Sequence, residues 1–322
     1  MIKLLANDGI DASAEQSLTA AGITVLTQKI PQEDLVEFIQ KENIIALTVR
    51  SATQVRQDII DKCPSLKVIA RGGVGMDNID VQYAINKGLH VIYTPAASSQ
   101  SVAELVFAHL TGAVRFLPLA NREMPTRGNT DFASLKKQFS AGTELKGKKL
   151  GIVGFGRIGQ AVAKIGLGLG MEILPVDENI SELNLTLDII GTKSPVIISL
   201  KTFSLSEVLP QADVITFHVP GGCIIDSPEI AKMKKGVILI NTARGGVINE
   251  EALLQGLNEG IISQVGLDVF VNEPKPDARL LSHPKISLTP HIGAATEEAQ
   301  MRIGHELAAK LLEVLTPHLS HS

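Results

Sequence analysis

Three polar residues, each within three positions of the end of an apolar segment, could do chemistry together. Arg244 follows the segment GVILIN, Glu273 follows SQVGLDVF and His291 follows ISLTP. If these segments are parallel strands of one sheet, the three side chains lie at its carboxyl edge, where open α/β sheets bind ligands. An imidazole that takes a hydroxyl proton, a carboxylate that orients it and stabilises its cation, and a guanidinium that binds a substrate carboxylate suit hydride transfer from a hydroxy acid.

Each of the three also has a structural interpretation when it is taken alone. An Arg is commonly a solvated surface charge, a Glu before Pro a turn residue, and a His after Pro a satisfied, partly buried group. Glycines lie beside two of them, in ARGG at 243–246 and HIG at 291–293. These glycines indicate close approach of the backbone to a ligand, which favours the functional interpretation.

A cofactor signal lies upstream, in the segment KKLGIVGFGRIG at residues 148–159. A short apolar strand there runs into Gly154, Gly156 and Gly159, and the spacing GxGxxG before a helix is typical of a dinucleotide site. Such a turn places a helix N-terminus and its free N–H groups against a pyrophosphate. The next apolar segment ends in Asp177, where a carboxylate can accept from the adenosine ribose and repel a 2′-phosphate. A glycine-rich turn without a ligand is the alternative.

A further anion site is indicated near the N-terminus. The turn RGGVG at 71–75 follows the strand KVIA and can present successive backbone N–H groups to an anion. Arg50 and Arg71 end neighbouring predicted strands and add positive charge. A single substrate carboxylate does not need Arg50 and Arg71 in addition to Arg244. The surplus of positive charge indicates a second anionic group such as a phosphate; structural salt bridges are the equal alternative.

Two α/β domains are needed to position these residues, and 322 residues are enough for two cores. Short apolar strands alternate with amphipathic helices, which predicts right-handed crossovers and parallel sheets covered on both faces. The first set of strands is expected near 3–6, 23–26, 44–48, 67–70 and 89–92, and the second near 150–153, 172–176, 214–217, 237–240, 263–267 and 286–288. The predicted fold is a Rossmann-type, doubly wound cofactor domain plus a smaller flavodoxin-like α/β substrate domain.

The domain boundaries are expected at 99–290 for NAD binding and at 1–98 with 291–322 for substrate binding. The second domain is discontinuous because an amphipathic helix at 296–315 is predicted to return to it. A helix at 101–120 is expected to cross between the domains. Residues 121–149 are predicted to be irregular surface chain, and residues 181–201 a β-hairpin.

Composition limits the classes of partner. A net charge of −4, no Trp and two Tyr argue against a nucleic-acid surface or a polybasic membrane patch, so a small-molecule substrate is expected. The apolar segment 101–120 contains Glu104, His109 and Arg115, which disfavours a membrane span. Cys63 and Cys223 are expected to be structural cysteines, and no metal site is expected. Two cysteines are too few for a disulfide framework, and the N-terminus does not resemble a signal peptide, so the cytoplasm is the expected location.

The motifs RGGVGMDNID, GFGRIG, HVP, NTARGGVINEEAL, GLDVF, NEP and TPHIGA, in that order, resemble the D-isomer-specific 2-hydroxyacid dehydrogenase family. The resemblance implies NAD as cofactor, a homodimer formed through the cofactor domain, and Arg244, Glu273 and His291 as the catalytic arginine, glutamate and proton-donor histidine. It implies cofactor contacts at Val74, Gly154, Gly156, Arg157, Ile158, Gly159, Asp177, His218, Val219, Thr242, Ala243, Asp268, Gly293 and Ala294. It implies substrate contacts at Arg50, Ser51, Arg71, Gly73, Val74, Gly75, Arg244 and His291.

Within the family, VRSAT at 49–53 and ARGGVGMDNID resemble the branch that oxidises 3-phosphoglycerate to 3-phosphohydroxypyruvate in the first step of serine biosynthesis. A reductase of hydroxypyruvate, glyoxylate or another 2-keto acid is the alternative, in which Arg50 and Arg71 are structural. An NADH-sensing corepressor is the alternative from another class, although long disordered flanks that would tether partners are missing.

Three departures from the family pattern limit the transfer. The segment GGCIID after HVP is shorter than in many members, and the predicted hairpin lengthens the chain between Asp177 and Asp213. The sequence ends at Ser322, so C-terminal regulatory domains and feedback inhibition through them are not expected.

Overall fold

A computed structural model describes residues 2–319 of the chain. They divide into two compact units: Met1–Ser99 with Ala294–Ser322, and Gln100–Gly293. Both units are mixed α/β structures built on a parallel sheet, as predicted.

The first unit contains a five-stranded parallel sheet covered by helices. Its elements up to residue 93 are β1 (Lys3–Ala6), α1 (Ala12–Ala20), β2 (Thr24–Leu26), α2 (Leu35–Glu42), β3 (Ala46–Val49), α3 (Gln57–Lys62), β4 (Val68–Arg71), α4 (Val81–Asn86) and β5 (His90–Tyr93). The strand order β2-β1-β3-β4-β5 is the flavodoxin-like order. Because the order reverses between β1 and β3, the loops after these two strands lie side by side at the carboxyl edge.

The segment that follows differs from its prediction. One helix was expected at 101–120 and irregular chain at 121–149, but the structure has three helices: α5 (Ser99–Val114), α6 (Leu117–Arg127) and α7 (Phe132–Gln138). Phe116 adopts a left-handed conformation (φ 56°), and this conformation separates α5 from α6. α6 contains Pro125 in its interior and buries none of its residues, so the expected surface position is correct while the expected lack of structure is wrong.

The second unit contains a six-stranded parallel sheet. Its elements are β6 (Lys149–Val153), α8 (Arg157–Gly168), β7 (Glu172–Val176), β8 (Glu182–Leu187), β9 (Val196–Lys201), α9 (Leu205–Val208), β10 (Val214–Phe217), α10 (Ser227–Ile230), β11 (Val237–Asn241), α11 (Glu250–Asn258), β12 (Ile262–Leu267), α12 (Ala278–Ser282) and β13 (Ile286–Leu288). The strand order is β13-β12-β11-β10-β6-β7. The reversal between β6 and β10 is the switch point at which doubly wound sheets bind ligands.

The predicted hairpin is present as the antiparallel pair β8–β9, outside the main sheet. Leu185 is its buried residue and joins the core beneath α5 and α8. The last helix, α13 (Glu297–Leu319), belongs to the first unit, where Gly304 lets it approach α1 closely. Within the described residues no single helix is long and apolar enough to span a membrane; α5 and α6 reach that length only as a pair with a 58° bend.

Candidate active site

The glycine turn after β6 leaves one open place on the protein surface. A Cβ at Gly154 would come within 2.5 Å of the His218 carbonyl oxygen, and one at Gly159 within 2.2 Å of the Gly154 carbonyl oxygen. Packing within the protein therefore explains both of these glycines. A Cβ at Gly156 would meet no protein atom within 4 Å, and its φ of −70° suits any residue. The backbone at Gly156 is thus open to a close-lying group, as a pyrophosphate site requires.

Asp177 is fixed beside this turn, at the end of β7. Its carboxylate accepts hydrogen bonds from the backbone N–H groups of Phe155 (2.8 Å), Asn179 (2.9 Å) and Ile180 (3.1 Å). The strand end and the turn are thereby joined through one carboxylate. Arg157 and Ile158, which are also predicted cofactor contacts, form the first turn of α8 at the same place.

Two buried polar atoms at this sheet edge have no hydrogen-bond partner among residues 2–319, namely His218 Nδ1 and Thr242 Oγ1. Buried polar atoms are normally paired, so a polar ligand along this edge would supply what these two atoms need. Burial of the imidazole lowers the pKa of His218 from 6.5 to about 3, although the residue as a whole is only partly buried. His218 is therefore neutral, which suits a wall position beside Val219 rather than proton transfer. The residues present fit a dinucleotide.

Glu273 and His291 form a direct pair. Glu273 Oε2 lies 2.8 Å from His291 Nδ1, and Glu273 Oε1 accepts from the Phe270 backbone N–H at 2.9 Å. A carboxylate accepts but does not donate, so Nδ1 of His291 holds the proton. The other ring nitrogen, Nε2, is therefore the atom that can exchange a proton with a substrate. The His291 side chain is 48% exposed, which leaves it accessible.

The backbone around His291 is held in an uncommon conformation. His291 has a φ of 55°, in the left-handed region that non-glycine residues seldom adopt. Asp268, which is 1% exposed, accepts from the backbone N–H groups of Ile292 (2.8 Å) and Gly293 (2.9 Å). Asp268 and Gly293 were predicted as cofactor contacts; in the structure they also fix the segment that follows His291.

Arg244 lies in a loop shaped by Asn241, the first residue of the motif NTARGG. Asn241, at the end of β11, accepts from the Ala243 N–H at 3.1 Å and donates to the Arg244 carbonyl at 2.8 Å. A Cβ at Gly245 would lie 2.0 Å from the Phe270 carbonyl oxygen. Gly245 therefore serves close packing against the segment before Glu273, which explains this glycine without a ligand.

In the first unit, Arg50 and Arg71 are linked through a residue that was not predicted. Asn78 donates to the carbonyl oxygens of Arg50 (2.7 Å) and Thr53 (2.6 Å), and its own Oδ1 accepts from Arg71 Nε at 3.0 Å. Asp8 accepts from the backbone N–H groups of Arg50 (2.7 Å) and Thr53 (3.0 Å). The 50–53 loop, with the exposed Ser51, is thus held from both sides.

The other predicted residues of this unit lie on its glycine turn and on the segment before α13. Val74 is 39% exposed beside Gly73 and Gly75, and Gly73 has a φ of 149° that disfavours a side chain. Ala294 accepts a hydrogen bond from Gln300 Nε2 at 2.6 Å. The contacts expected of these residues with substrate or cofactor stay predictions.

Sequence reasoning missed Asp8, Asn78 and Asn241 as residues that shape the site. Two of them could have been found by the rule that identified the catalytic candidates, since Asp8 lies two residues after the end of β1 and Asn241 ends β11. Asn78 has no comparable signal, because its role depends on the 50–53 loop, which lies 25 or more residues before it, and on the side chain of Arg71.

Comparisons with known proteins agree with this geometry. Residues 107–293 match the family model described as D-isomer specific 2-hydroxyacid dehydrogenase, NAD binding domain. The chain is 40% identical to a hydroxypyruvate reductase of Thermotoga maritima over 96% of this chain and 97% of that protein. It is 39% identical to a D-3-phosphoglycerate dehydrogenase of Methanocaldococcus jannaschii over 100% of this chain, but it spans only 59% of that protein's length.

The fold also matches a solved structure with bound ligands. A crystal structure of D-lactate dehydrogenase from Aquifex aeolicus, complexed with NAD and lactic acid, superposes with a TM-score of 0.75 at 28% identity, over 99% of this chain and 96% of that chain.

Proposed function

The chain belongs to the D-isomer specific 2-hydroxyacid dehydrogenase family, and on that premise we propose that it oxidises D-3-phosphoglycerate to 3-phosphohydroxypyruvate. NAD, when bound at the glycine turn, supplies the hydride acceptor. In this proposal the second unit holds the cofactor and the catalytic residues.

The proposed roles follow from the atoms that are available. His291 Nε2 takes the proton of the substrate hydroxyl, because Nδ1 is committed to Glu273. The Glu273 carboxylate stabilises the imidazolium that results, and the Arg244 guanidinium binds the substrate carboxylate and the developing carbonyl oxygen.

The observation that favours a phosphorylated substrate is the state of Arg50. Its backbone is held by Asp8 and Asn78 and the residue is partly buried, yet its guanidinium has no hydrogen-bond or ion-pair partner among the described residues. A fixed backbone that presents a cation without a carboxylate partner is suited to an anionic ligand group.

The test is a comparison of acids in the wild type and in two arginine variants. Formation of NADH is followed with 3-phosphoglycerate, D-glycerate, D-lactate and 2-hydroxyglutarate. We expect turnover of the phosphorylated acid, and Arg50→Gln should raise its KM by about tenfold or more while changing that for D-glycerate little, because a charged hydrogen bond of about 1.5–3 kcal/mol is lost.

Arg56→Gln is the matched control for this experiment. It also removes one positive charge from the first unit, but Arg56 already pairs with Asp80. No turnover of 3-phosphoglycerate, or an equal effect of both variants, contradicts the proposal.

A hydroxypyruvate reductase is the second candidate, supported by the 40% identity to the Thermotoga enzyme over nearly the whole of both chains. Fast consumption of NADH with hydroxypyruvate or glyoxylate, without any preference for a phosphorylated acid, would support it. Tight NADH binding without turnover of any acid would instead support the corepressor-like alternative.

We further propose a homodimer formed through the cofactor domain, in the cytoplasm. Three large apolar side chains of α6 and α7 are exposed in the single chain: Leu117 at 63%, Met124 at 43% and Phe132 at 59%. Such side chains are typical of a surface that a second copy covers. Light scattering at several concentrations tests the dimer.

The proposed location in the cytoplasm is supported by the cysteines. Both are free thiols, which suits a reducing compartment.

A further inference from the structure

A buried histidine outside the proposed catalytic set lies close to it within the second unit. His109, on α5, is 3% exposed and is surrounded by a largely apolar helix face. Its two ring nitrogens contact two hydroxyls at the end of β13: Nδ1 lies 2.8 Å from Ser287 Oγ, and Nε2 lies 3.0 Å from Thr289 Oγ1.

The neighbouring strand makes room for this ring. A Cβ at Gly266, the penultimate residue of β12, would lie 2.7 Å from His109 Cβ and 2.9 Å from its Cγ. Glycine inside a strand weakens it, so its presence here marks a close approach of another group. The approach is that of His109 to the sheet.

The hydrogen bonds determine which nitrogen of His109 holds the proton. Thr289 Oγ1 has a single proton, and it donates that proton to Asp268 Oδ1 at 2.6 Å. Its oxygen can then only accept from His109, so Nε2 is the protonated nitrogen. Burial lowers the pKa of His109, which keeps the ring neutral, and Nδ1 accepts from the Ser287 hydroxyl.

The chain of hydrogen bonds continues to the segment next to His291. The Asp268 carboxylate, which accepts the hydrogen bond from the Thr289 hydroxyl, also accepts hydrogen bonds from the Ile292 and Gly293 backbone N–H groups. A change at His109 is thus transmitted through a hydroxyl and a carboxylate to the backbone that holds His291 in its left-handed conformation.

From this arrangement we propose that His109 and Thr289 are positioning residues for His291, acting as a fixed relay in which His109 Nε2–H donates to Thr289 and Thr289 donates to Asp268. The relay holds the His291 ring against Glu273. This inference deepens the proposed function, because it rests on His291 as the proton acceptor.

The direct test of the tautomer uses the wild-type protein. Long-range ¹H–¹⁵N NMR spectra of histidine-labelled protein should show His109 as the neutral Nε2–H form, with assignment by loss of its signals in His109→Gln. The Nδ1–H form, or a protonated ring at neutral pH, would overturn the relay.

The kinetic test compares hydroxyl removals at two threonines. Thr289→Val should lower kcat by roughly 10–100-fold, the usual effect of losing a residue that orients a site ligand, with KM for the acid changed much less. Thr289→Ser keeps the hydroxyl and should restore kcat to within about twofold of wild type. Thr111→Val is the control, since Thr111 lies on α5 and its hydroxyl bonds only carbonyls of its own helix.

A double variant separates a relay from two independent effects. Thr289→Val combined with His109→Leu should be no slower than the slower single variant, because both break one chain. Multiplied losses, or a Thr289→Val enzyme within about twofold of wild type, contradict the proposal.

If no acid is turned over, the proposed function is contradicted, but the relay can still be tested without activity. Amide exchange at Ile292 and Gly293 should then be roughly tenfold faster in Thr289→Val than in the wild type or Thr111→Val, because their acceptor has lost its fixed position. Unchanged exchange at these two amides would overturn the relay by itself.

Discussion

Each unit contains a buried carboxylate that holds the backbone of a candidate site loop, and the two carboxylates do so differently. In the first unit Asp8 accepts from the Arg50 and Thr53 N–H groups, from the Thr53 hydroxyl and from the half-exposed ammonium of Lys29. In the second unit Asp268 accepts from two backbone N–H groups and from the hydroxyl of Thr289.

The difference lies in which oxygens the backbone uses. One oxygen of Asp8, Oδ2, receives both backbone N–H groups of its loop. Asp268 divides them, since Oδ1 receives Ile292 and Oδ2 receives Gly293. We call each carboxylate with the backbone N–H groups that it holds a clamp. The Asp8 clamp thus needs one acceptor oxygen and a charge, whereas the Asp268 clamp needs two acceptor oxygens with fixed positions. The looser arrangement lies beside a loop proposed to bind substrate, and the stricter one beside the residue proposed to transfer a proton.

The largest expected effect is that of Asp268→Asn. An amide has one acceptor oxygen, so its NH₂ group must face a buried backbone N–H that cannot accept, either that of Gly293 or that of Ile292. Unpaired buried donors cost about 1–3 kcal/mol each, and we expect the second unit to lose about 3 kcal/mol of stability. The enzyme should also lose kcat, since the His291 segment is no longer held.

Urea unfolding followed by amide exchange, resolved for each unit, measures this loss. Asp226→Asn is the control, because Asp226 caps α10 and Asn caps helices equally well. Equal stabilities of the two variants would show that Asp268 does not need both of its oxygens.

The next largest effect is expected on acidification, which should lower the stability of the second unit at a higher pH than it weakens the Asp8 interactions of the first unit. Burial lowers the folded-state pKa of His218 to about 3 and lowers that of His109, so the unfolded chain binds these protons more readily as the pH falls below 6.5. Between pH 7.5 and 5 the second unit should therefore lose about 2 kcal/mol through His218.

The Asp8 clamp responds at a lower pH. Burial acts to raise the pKa of Asp8, but hydrogen bonds from Lys29, the Arg50 N–H and Thr53 outweigh it, so the pKa lies below 3.8. Its stabilisation is present above pH 3.8 and is lost only as the pH falls through the folded pKa.

His218→Asn tests the expectation for the second unit. It should flatten the pH dependence of the stability of the second unit alone; an unchanged slope would show that His218 does not cause it.

The same comparison shows what the sequence could predict. Strand ends predict Arg244, Glu273, His291 and Asp177 as site residues, because parallel strands deliver their next residues to one edge whatever the rest of the chain does. His109 and Thr289 could not be linked in this way, since 180 residues separate them and only packing through Gly266 brings them together.

Local signals also failed where packing overrides them. Met124-Pro125 indicates a break, since a proline inside a helix removes a hydrogen bond, yet α6 continues through Pro125 to Arg127. Gly245 indicates a ligand, but the close approach of the Phe270 backbone is enough to require a glycine there. In both cases a residue type specifies a backbone requirement without specifying what imposes it.

The smallest effect is expected from Asp8→Asn, the same change of chemistry at the other clamp. The amide oxygen can take the place of Oδ2 and accept from both the Arg50 and Thr53 N–H groups. Its NH₂ group then faces the Thr53 hydroxyl, and Lys29, whose side chain is 54% exposed, can turn to water. Only the pair with the half-exposed Lys29 and part of one hydrogen bond are lost, about 1 kcal/mol.

Because the loop that Asp8 holds contains Arg50, Asp8→Asn should raise the KM for the phosphorylated acid a few-fold and leave kcat near the wild-type value. Asp61→Asn, which weakens a surface pair with Lys87 in the same unit, should change neither constant. A fall in kcat with constant KM would place Asp8 in the same class as Asp268 and remove the distinction between a clamp for binding and a clamp for proton transfer.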